Sequence, residues 1–381
     1  MEFKGMAVIK EEKSEQLCQR EAARKAAIAH WDALAKPLGS LGMLEEMVAQ
    51  IAEIISDPDV RLEKRTLFVL CGDHGVVHNG VTQTGSSVTA AVAKAIGEKT
   101  STISYLAAGQ NIDVIPVDVG MLEHPAFPGV LDRNVRRGTA DLSKEPAMTR
   151  AECIRAIRTG MDLVRKEKEK GTQIILTGEM GIGNTTATSA VASVLLAKDP
   201  EEMTGRGSGL SAEGLIKKVA CIRQGIRCNR PDPEDAIDVL AKVGGIELAG
   251  LCGICLGGAL CHMPIMLDGV ITLVAALCAV RIQEKETLLH ELFGQDKTAA
   301  AEQKNMLPVR TALLASHMSA EPSAKHMMEE MKLSAPIQAG MRLGEGSGAV
   351  AALLLLDMAL REYQSAHTFD VLGIDAYTPQ G

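Results

Sequence analysis

Short apolar segments rich in branched aliphatic residues recur along the chain and end in glycine or a polar residue. Parallel strands that are buried on both faces show this pattern, and they deliver polar groups at their carboxyl ends. The segment "TLFVLCGDHG" is the clearest case, because its apolar run stops at Gly-Asp-His-Gly. The pattern predicts five strands, within residues 66–75, 111–120, 171–186, 263–269 and 310–319.

Helical patterns separate these strands. Residues 151–169 and 211–227 are amphipathic. Strands separated in this way imply βαβ crossovers and a mainly parallel sheet. The sequence therefore predicts an α/β fold with a Rossmann-like three-layer domain.

The chain begins with a helical pattern over residues 10–55. Pro37 and Gly39 predict a turn there, and Ser40 is a candidate N-cap for the next helix. Residues 251–280 and 348–360 are the most apolar parts of the chain. Polar residues interrupt both before an uncharged span of about 20 residues is reached, so they predict buried helices with a strand between them and no membrane span.

Composition narrows the class of protein. Hydrophobic residues make up 46% of the chain and charged residues 23%, which is typical of a globular protein, and aromatic residues make up only 2%, so the core must be aliphatic. A net charge of −8 and few aromatic residues argue against a nucleic-acid surface. We expect neither a nucleic-acid partner nor a membrane partner.

Cysteine usage favours a reducing cytoplasm. The nine cysteines are an odd number in a long chain, and the first residues show no signal-peptide pattern. Cys252, Cys255 and Cys261 are spaced closely enough to suggest a metal site. No second ligand pair follows, and His74 also has no second ligand at a recognisable spacing, so buried free thiols and no metal are the better interpretation.

Ligands of open α/β sheets bind beyond the carboxyl ends of the strands. That rule selects a set of polar residues at the ends of the five predicted strands: Asp73, His74, Asp118, Glu179, Gly181, Gly183, Asn184, Asp268, Ser316, His317 and Ser319.

Two glycine-rich loops precede predicted helices. In "TGEMGIGNTTAT" the glycines follow a strand, and Asn184, Thr185 and Thr186 are candidate helix caps, so the turn can bind phosphate or carboxylate or be purely structural. In "GRGSGLSAEGLIKK" Lys217 or Lys218 could face an anion, although a solvated position is more usual. Residues 283–305 are charged and alanine-rich, which is typical of a solvated helix or an insertion, and we assign them no chemistry.

The segment "RLGEGSGA" places one acid, Glu345, in a run of small residues. Glycines allow a ligand to approach the backbone and leave the carboxylate uncovered, which suits catalysis and equally suits an exposed turn.

Several segments together resemble a known family. They are "KPLGSLGMLEE", "GDHGVVHNGV", "TGEMGIGNTTAT", "VGGIELAGLCG", "LDG", "SHMSAE" and "MRLGEGSGA", in this order over most of the chain. They resemble the nicotinate-nucleotide:dimethylbenzimidazole phosphoribosyltransferases of cobamide lower-ligand synthesis. The resemblance implies transfer of 5-phosphoribose from nicotinate mononucleotide to an aromatic base, with release of nicotinate and no cofactor.

The same resemblance implies an organisation into domains and a dimer. We expect a large Rossmann-like domain over residues 60–325 and a small helical domain built from residues 1–59 and 326–381. The partner is expected to be a second copy or a homologous chain. The alternative function is that of a poorly active partner subunit in a heterodimer of this family. A nucleotide-binding oxidoreductase is disfavoured because the GxGxxG fingerprint is missing.

Site residues carry over from the resemblance position by position. Glu345 corresponds to the catalytic base, and Glu179 is similar to a second acid of the family site. The phosphate-binding residues implied in the same way are Gly181, Ser208, Lys218 and Ser319, together with the backbone N–H groups of Leu343 and Gly344.

One position departs from the family pattern. Members that use dimethylbenzimidazole tend to present a Gln to the base nitrogen three residues after the Thr that matches Thr89, and this chain has Val92 there. With Thr84, Val92 would line the base pocket. An apolar residue cannot bond to a ring nitrogen, so the acceptor could be a phenol or p-cresol; Val92 could equally be a core residue after a shift of one helical turn.

Overall fold

A six-stranded parallel sheet with helices on both faces forms the centre of the molecule. In the computed structural model, residues 2–123, 126–207, 209–294 and 302–378 are described, with side chains from Leu17 onward. The strands are β1 (Arg65–Gly72), β2 (Ile112–Gly120), β3 (Leu131–Asp132), β4 (Ile174–Met180), β5 (Ile265–Leu267) and β6 (Leu313–Ala315). They are ordered β3-β2-β1-β4-β5-β6, and every neighbouring pair is parallel. The order reverses between β1 and β4, as in doubly wound α/β folds.

Helices make up most of the remaining chain. In chain order they are α1 (Glu2–Ala33), α2 (Met43–Ile55), α3 (Ser87–Gly97), α4 (Thr102–Leu106), α5 (Arg150–Glu169), α6 (Asn184–Leu195), α7 (Pro200–Met203), α8 (Ala212–Asn229), α9 (Ala236–Val243), α10 (Ile246–Cys261), α11 (Val270–Gln283), α12 (Glu286–Phe293), α13 (Val309–Ala312), α14 (Ser323–Met331), α15 (Ser347–Ser365) and α16 (Phe369–Leu372). A short 3-10 helix spans Gly75–Asn79.

The sheet separates two hydrophobic cores because successive strand residues point to opposite faces. Along β1, Phe68 and Leu70 join the core formed with α5, α6, α9, α10 and α11. Leu67 and Val69 join the other core, which includes residues of α1, α2, α3 and α15. The result is the predicted three-layer α/β architecture, which is confirmed.

Helices from the two chain ends pack together in the second core. Trp31 of α1 and Tyr363 of α15 are both buried, with ring centroids 4.9 Å apart. The Arg65 side chain at the start of β1 forms a bidentate ion pair with Asp357 of α15. These contacts join the end of the chain to the sheet; the domain boundaries at residues 60 and 325 stay a prediction.

The predicted elements compare closely with the observed ones. All five predicted strands are present, and α5, α8, α10, α11 and α15 occupy the predicted helical segments. The pattern missed β3, which has two residues and no apolar run. Of the charged segment 283–305, the part that forms α12 is helical and buries Leu288 and Leu292, whereas residues 295–301 lie outside the described residues.

The predicted helix caps were wrong. The N-cap of α2 is Gly42 and not Ser40, since the turn runs two residues further before the helix starts. The N-cap of α6 is Gly183, whose φ of 98° suits glycine, and Asn184 is already the first helical residue.

Two further observations concern the apolar helices and the cysteines. None of the helices in the described part of the chain is long and apolar enough to span a membrane. Cys252 and Cys255 are free and buried, as predicted, whereas Cys261 is free but only half-buried.

Candidate active site

A cavity of about 320 Å³ lies beyond the carboxyl ends of β4, β5 and β6. Its walls come from α3, the turn after β4, the loop before α8, the segments that follow β5 and β6, and the loop before α15. This location agrees with the rule for open α/β sheets, in which ligands bind beside the point where the strand order reverses.

Glu345 enters the cavity from the loop that precedes α15. Its backbone is left-handed, with a φ of 59°, and it packs on β4 so closely that a Cβ at Gly178 would lie 2.6 Å from the Glu345 carbonyl carbon. Burial raises the pKa of Glu345; a hydrogen bond from the Ile103 backbone N–H opposes this, and the charge of Asp268 adds to it. The Oε2 atom is buried with no hydrogen-bond partner among the described residues, so a basic oxygen is available to a ligand.

Asp268, at the end of β5, holds the start of α15. Its carboxylate accepts from the N–H of Gly346 at 3.0 Å and from the N–H of Gly348 at 2.7 Å. These N–H groups have no partner within the helix, so the carboxylate caps the helix that follows Glu345. The ring of His317 packs against the same turn, where a Cβ at Gly348 would lie 1.9 Å from His317 Nδ1.

Glu179 lies on β4 beside the Glu345 loop. A Cβ at Gly344 would lie 2.6 Å from Glu179 Oε1, and the Asn184 side chain donates to Glu179 Oε2. Burial raises the pKa of Glu179 well above its usual value, and the nearby charges of Asp268, Glu247 and Glu345 raise it further. Glu179, Asp268 and Glu345 thus form an acidic side of the cavity that favours a cation.

Lys218 of α8 supplies a buried cation to the same cavity. Its Nζ donates to Thr185 Oγ1 at 2.8 Å and to the carbonyl of Gly205 at 3.2 Å, and the residue is 1% exposed. Burial lowers the pKa of Lys218 to about 8, although the charge of Glu321 raises it. Since an ammonium group has three donors, one remains for a ligand. Lys217, by contrast, is exposed and paired with Glu213.

The glycine-rich turn after β4 is held by contacts with α3 and β1. Thr89 Oγ1, on α3, accepts from the backbone N–H of Ile182 at 3.1 Å. Gly181 packs on β1, where a Cβ would lie 2.3 Å from the carbonyl of Gly72. The turn and the start of α6 therefore present backbone groups to the cavity in a rigid arrangement.

The other residues expected at the phosphate also lie here, with one exception. Ser319, Leu343 and Gly344 line the cavity, and Ser319 is buried whereas Leu343 is exposed. Ser208 lies outside the described residues.

Of the two residues predicted to line the base pocket, one lies at the cavity and the other does not. Val92 lines the cavity and also packs against the second core. Thr84 is exposed and is not among the lining residues, whereas Thr82, whose hydroxyl donates to the Thr84 carbonyl at 2.7 Å, is.

Three polar residues selected by the strand-end rule have structural contacts instead. Asp73 accepts from the N–H of Leu122 at 2.9 Å, and Asp118 accepts from the N–H of Met121 at 2.8 Å. His74 pairs with Glu247 at 2.8 Å in a fully buried position.

Sequence reasoning gave no role to four charged residues of the cavity. Asp268 was found as a strand-end residue only, and Arg206, Glu321 and Arg342 were not singled out. Arg206 and Glu321 lie inside motifs that were found, "GRGSG" and "SHMSAE", but their roles depend on contacts between segments far apart in sequence.

The chain is similar to known phosphoribosyltransferases along most of its length. A family described as "Phosphoribosyltransferase" matches residues 18–307 and 294–374. The nicotinate-nucleotide–dimethylbenzimidazole phosphoribosyltransferase of Ruminiclostridium cellulolyticum is 42% identical over 348 residues, or 91% of this chain and 92% of that protein. The protein of the same name from Acetivibrio thermocellus is 38% identical, over 92% of this chain and 93% of its own. The crystal structure of CobT from Thermus thermophilus superimposes with a TM-score of 0.81 at 33% identity, over 95% of this chain and 100% of that one.

Proposed function

Since the chain belongs to the nicotinate-nucleotide–dimethylbenzimidazole phosphoribosyltransferase family and is a pentosyltransferase, we propose that it transfers 5-phosphoribose from nicotinate mononucleotide to an aromatic acceptor. The products are free nicotinate and an α-riboside phosphate that becomes the lower ligand of a cobamide. The names of the relatives support nicotinate mononucleotide as donor and dimethylbenzimidazole as one possible acceptor.

The observation that best supports this function is that the charges at the two sides of the cavity are complementary to the charges at the two ends of this donor. Glu179, Asp268 and Glu345 lie on one side, and Lys218 of α8 enters the cavity beside Thr185, to which its Nζ donates. Nicotinate mononucleotide has a cationic pyridinium at C1′ and an anionic phosphate at C5′. Opposite charges on the protein would orient both ends of the donor and hold C1′ beside Glu345.

Glu345 acts as the general base in this proposal. The bond between C1′ and the pyridinium nitrogen breaks with its electron pair going to nicotinate, so the leaving group needs no acid. The acceptor forms the new bond to C1′ and loses its proton, which the free Glu345 Oε2 accepts. The raised pKa of Glu345 suits a base that works near neutral pH.

Glu179 stabilises the positive charge that develops at C1′ as nicotinate leaves. In the empty cavity burial and neighbouring carboxylates raise its pKa, which favours the protonated form. A bound pyridinium cation has the opposite effect, so donor binding would ionise Glu179 where the oxocarbenium charge arises.

Phosphate binding is assigned to the side of the cavity around Lys218, and it extends to the backbone of Leu343 and Gly344, where Gly344 lies beside Glu179. Lys218 supplies the charge, Ser319 a hydroxyl, and the backbone at Gly181, Leu343 and Gly344 supplies N–H donors. Ser208 completes this set by the resemblance alone.

The acceptor is a base or a phenol that fits against Val92. A valine at the cavity wall offers no hydrogen bond to a ring nitrogen, which supports a phenolic acceptor such as phenol or p-cresol. The relatives' names support dimethylbenzimidazole. The presence of Glu345, Glu179 and Lys218 in one cavity favours an active chain over the alternative of a poorly active partner subunit.

The test is to incubate the purified chain alone with nicotinate mononucleotide and, separately, dimethylbenzimidazole, adenine, phenol or p-cresol, with nicotinate and riboside phosphate followed by mass spectrometry. Transfer to a phenol would show that Val92 belongs to an altered acceptor pocket. Transfer to dimethylbenzimidazole alone would show that Val92 has only a packing role. No transfer to any acceptor would contradict an independently active enzyme and favour the partner-subunit alternative.

A further inference from the structure

One carboxylate of the cavity lies beside the cation of the phosphate side and apart from the acidic side. Glu321, in the segment after β6, accepts from the backbone N–H of Gly207 at 3.1 Å. Its other oxygen lies against Gly205, where a Cβ would be 2.0 Å from Glu321 Oε2. Only glycine fits at position 205 without displacing this carboxylate.

Lys218 contacts the same turn from the other direction. The carbonyl of Gly205 accepts from Lys218 Nζ at 3.2 Å. A Cβ at Gly207 would lie 3.0 Å from Thr185 Oγ1 and 3.5 Å from Lys218 Nζ. The turn 205–207 is therefore held between a carboxylate and an ammonium group.

The Glu321 backbone also contacts a residue expected at the phosphate. Its N–H donates to Ser319 Oγ at 3.4 Å, which ties the segment after β6 to the Ser319 hydroxyl. Glu321, two residues after Ser319, thus connects the segment after β6 with the turn before α8, whose carbonyl at Gly205 contacts the buried Lys218; the hydrogen bond from Gly207 to Glu321 spans 114 residues of sequence.

A carboxylate near a phosphate repels it, so direct phosphate binding does not explain Glu321. An oxygen that orders two glycines does explain it, because glycine-rich backbone loses more conformational freedom on ordering than any other. We propose that Glu321 is a positioning residue that holds the turn 205–207 and Lys218 in the geometry that binds the 5-phosphate of the donor. This inference rests on the proposed function and deepens it.

The charge of Glu321 has a second effect, on the protonation of Lys218. It raises the pKa of Lys218 against the lowering caused by burial, which leaves a value of about 8. The other charged or titratable groups that line the cavity are Arg206, Arg342, His317, Glu179, Asp268 and Glu345. Replacing Glu321 by Gln would keep an oxygen acceptor for Gly207 and remove the charge.

The experiment measures the affinity for nicotinate mononucleotide by isothermal titration calorimetry at pH 7 and across the range from pH 7 to 9. Glu321→Ala should weaken binding by about tenfold or more, because it releases the turn, whereas Glu321→Gln should stay within about threefold of the wild type. Binding of Glu321→Gln should decline at a lower pH than in the wild type, because its Lys218 deprotonates earlier. Glu329→Ala, at an exposed glutamate of α14, is the matched control and should change nothing.

Wild-type affinity in Glu321→Ala would overturn the inference, and so would equal weakening in both Glu321 variants at pH 7. A loss of folding in Glu321→Ala, visible in its melting temperature, leaves the Gln variant as the test: an unchanged pH profile there contradicts the inference. If the wild type itself fails to bind nicotinate mononucleotide, the proposed function fails instead, so the two failures are distinguishable.

Discussion

At the scale of single residues, the isolation of Glu345 suits the role of general base that we propose for it. Most surface carboxylates have water or a cation beside them and stay ionised well below neutral pH. Glu345 has glycine on either side, one free buried oxygen and no cation bonded to it among the described residues. Burial then raises its pKa, and the proposed acceptor is the group that can transfer a proton to its free oxygen.

In the proposed mechanism, two residues define the pH range of activity. Glu345 must be deprotonated, so kcat/KM should rise with pH through its raised pKa. Lys218 must be charged to bind phosphate, so kcat/KM should fall as pH rises through about 8. The expected profile is a bell with its alkaline limb near that value.

The variant Lys218→Arg tests the alkaline limb, because a guanidinium stays charged throughout the range. We expect the limb to disappear, while Lys217→Arg at the exposed neighbour keeps it. An unchanged alkaline limb in Lys218→Arg would assign that limb to another group.

Lys218→Met should raise KM for nicotinate mononucleotide about 10- to 100-fold through the loss of a charge-assisted hydrogen bond.

Val92 is expected to determine which acceptor is used. Val92→Gln places an amide at the cavity wall, where it can bond to a ring nitrogen, and should shift kcat/KM from phenols toward dimethylbenzimidazole by about tenfold or more. Val88→Gln, one turn earlier on α3 and also at the cavity, serves as the control. A preference that is the same in Val92→Gln and wild type would leave Val92 with a packing role only.

Single residues also show the limits of prediction from the sequence. Glu179, Lys218, Ser319 and Glu345 could be expected at one site because motifs fix their positions, and the structure brings them into one cavity. Thr84 lies outside it, since nothing local distinguishes a lining threonine from an exposed one two residues away. The positions of Asp268 and Glu321 depend on contacts with backbone about 80 and 114 residues away in sequence, which no local pattern encodes.

At the scale of elements, the start of α15 determines where Glu345 lies. The helix begins at Ser347, immediately after the left-handed pair Glu345 and Gly346, and Asp268 caps it from β5. His317 from the end of β6 packs on Gly348. Three elements thus fix one carboxylate, so a change at the helix start should act on catalysis without touching substrate.

Gly348→Ala should demonstrate this effect. Its Cβ would overlap His317 Nδ1 at 1.9 Å, so the ring or the helix start must move. We expect a loss of about 1–3 kcal/mol in unfolding free energy, as is typical of overpacking, and a fall in kcat at nearly unchanged KM for the donor. Ala351→Ser, on the same helix, is the control in chemical denaturation and steady-state kinetics. Wild-type kcat in Gly348→Ala would contradict the coupling between this turn and Glu345.

Strands and helices could be predicted from the sequence where a long apolar pattern is present. The five longer segments gave strands because their buried runs and polar ends are local features of the chain. The strand β3 was missed because its two residues carry no period and pair with β2 only in the folded sheet. The predicted N-cap of α2 was wrong because Ser40, though suited to a cap, is followed by two more turn residues before the helix starts.

At the scale of the whole molecule, the strand order brings the two sides of the cavity together. Glu179 lies on β4, Asp268 follows β5, and Ser319 and Glu321 follow β6, so the parallel direction of all strands puts them at one edge. The chain ends close the arrangement, since the loop before α15 carries Glu345 into the cavity and α15 packs with α1 and α2. The division at residues 60 and 325 stays a prediction.

We expect the chain to be a dimer in solution, as the resemblance implies. Large apolar side chains remain exposed on the chain-end helices, among them Met358 of α15 and Val371 of α16, and a partner would cover such residues. Light scattering coupled to size exclusion should give twice the chain mass of 40.4 kDa. A monomer that is active alone would contradict the dimer, and a monomer that gains activity with a homologous chain would favour the heterodimer.

The most direct test of the central claim compares the wild type with Glu345→Gln. The amide keeps the shape of the side chain and cannot accept the acceptor's proton. With nicotinate mononucleotide and the best acceptor, the variant should lose about 10²- to 10⁴-fold in the rate of nicotinate release, while calorimetry shows donor binding unchanged. Near-normal turnover in Glu345→Gln would contradict the assignment of Glu345 as the base.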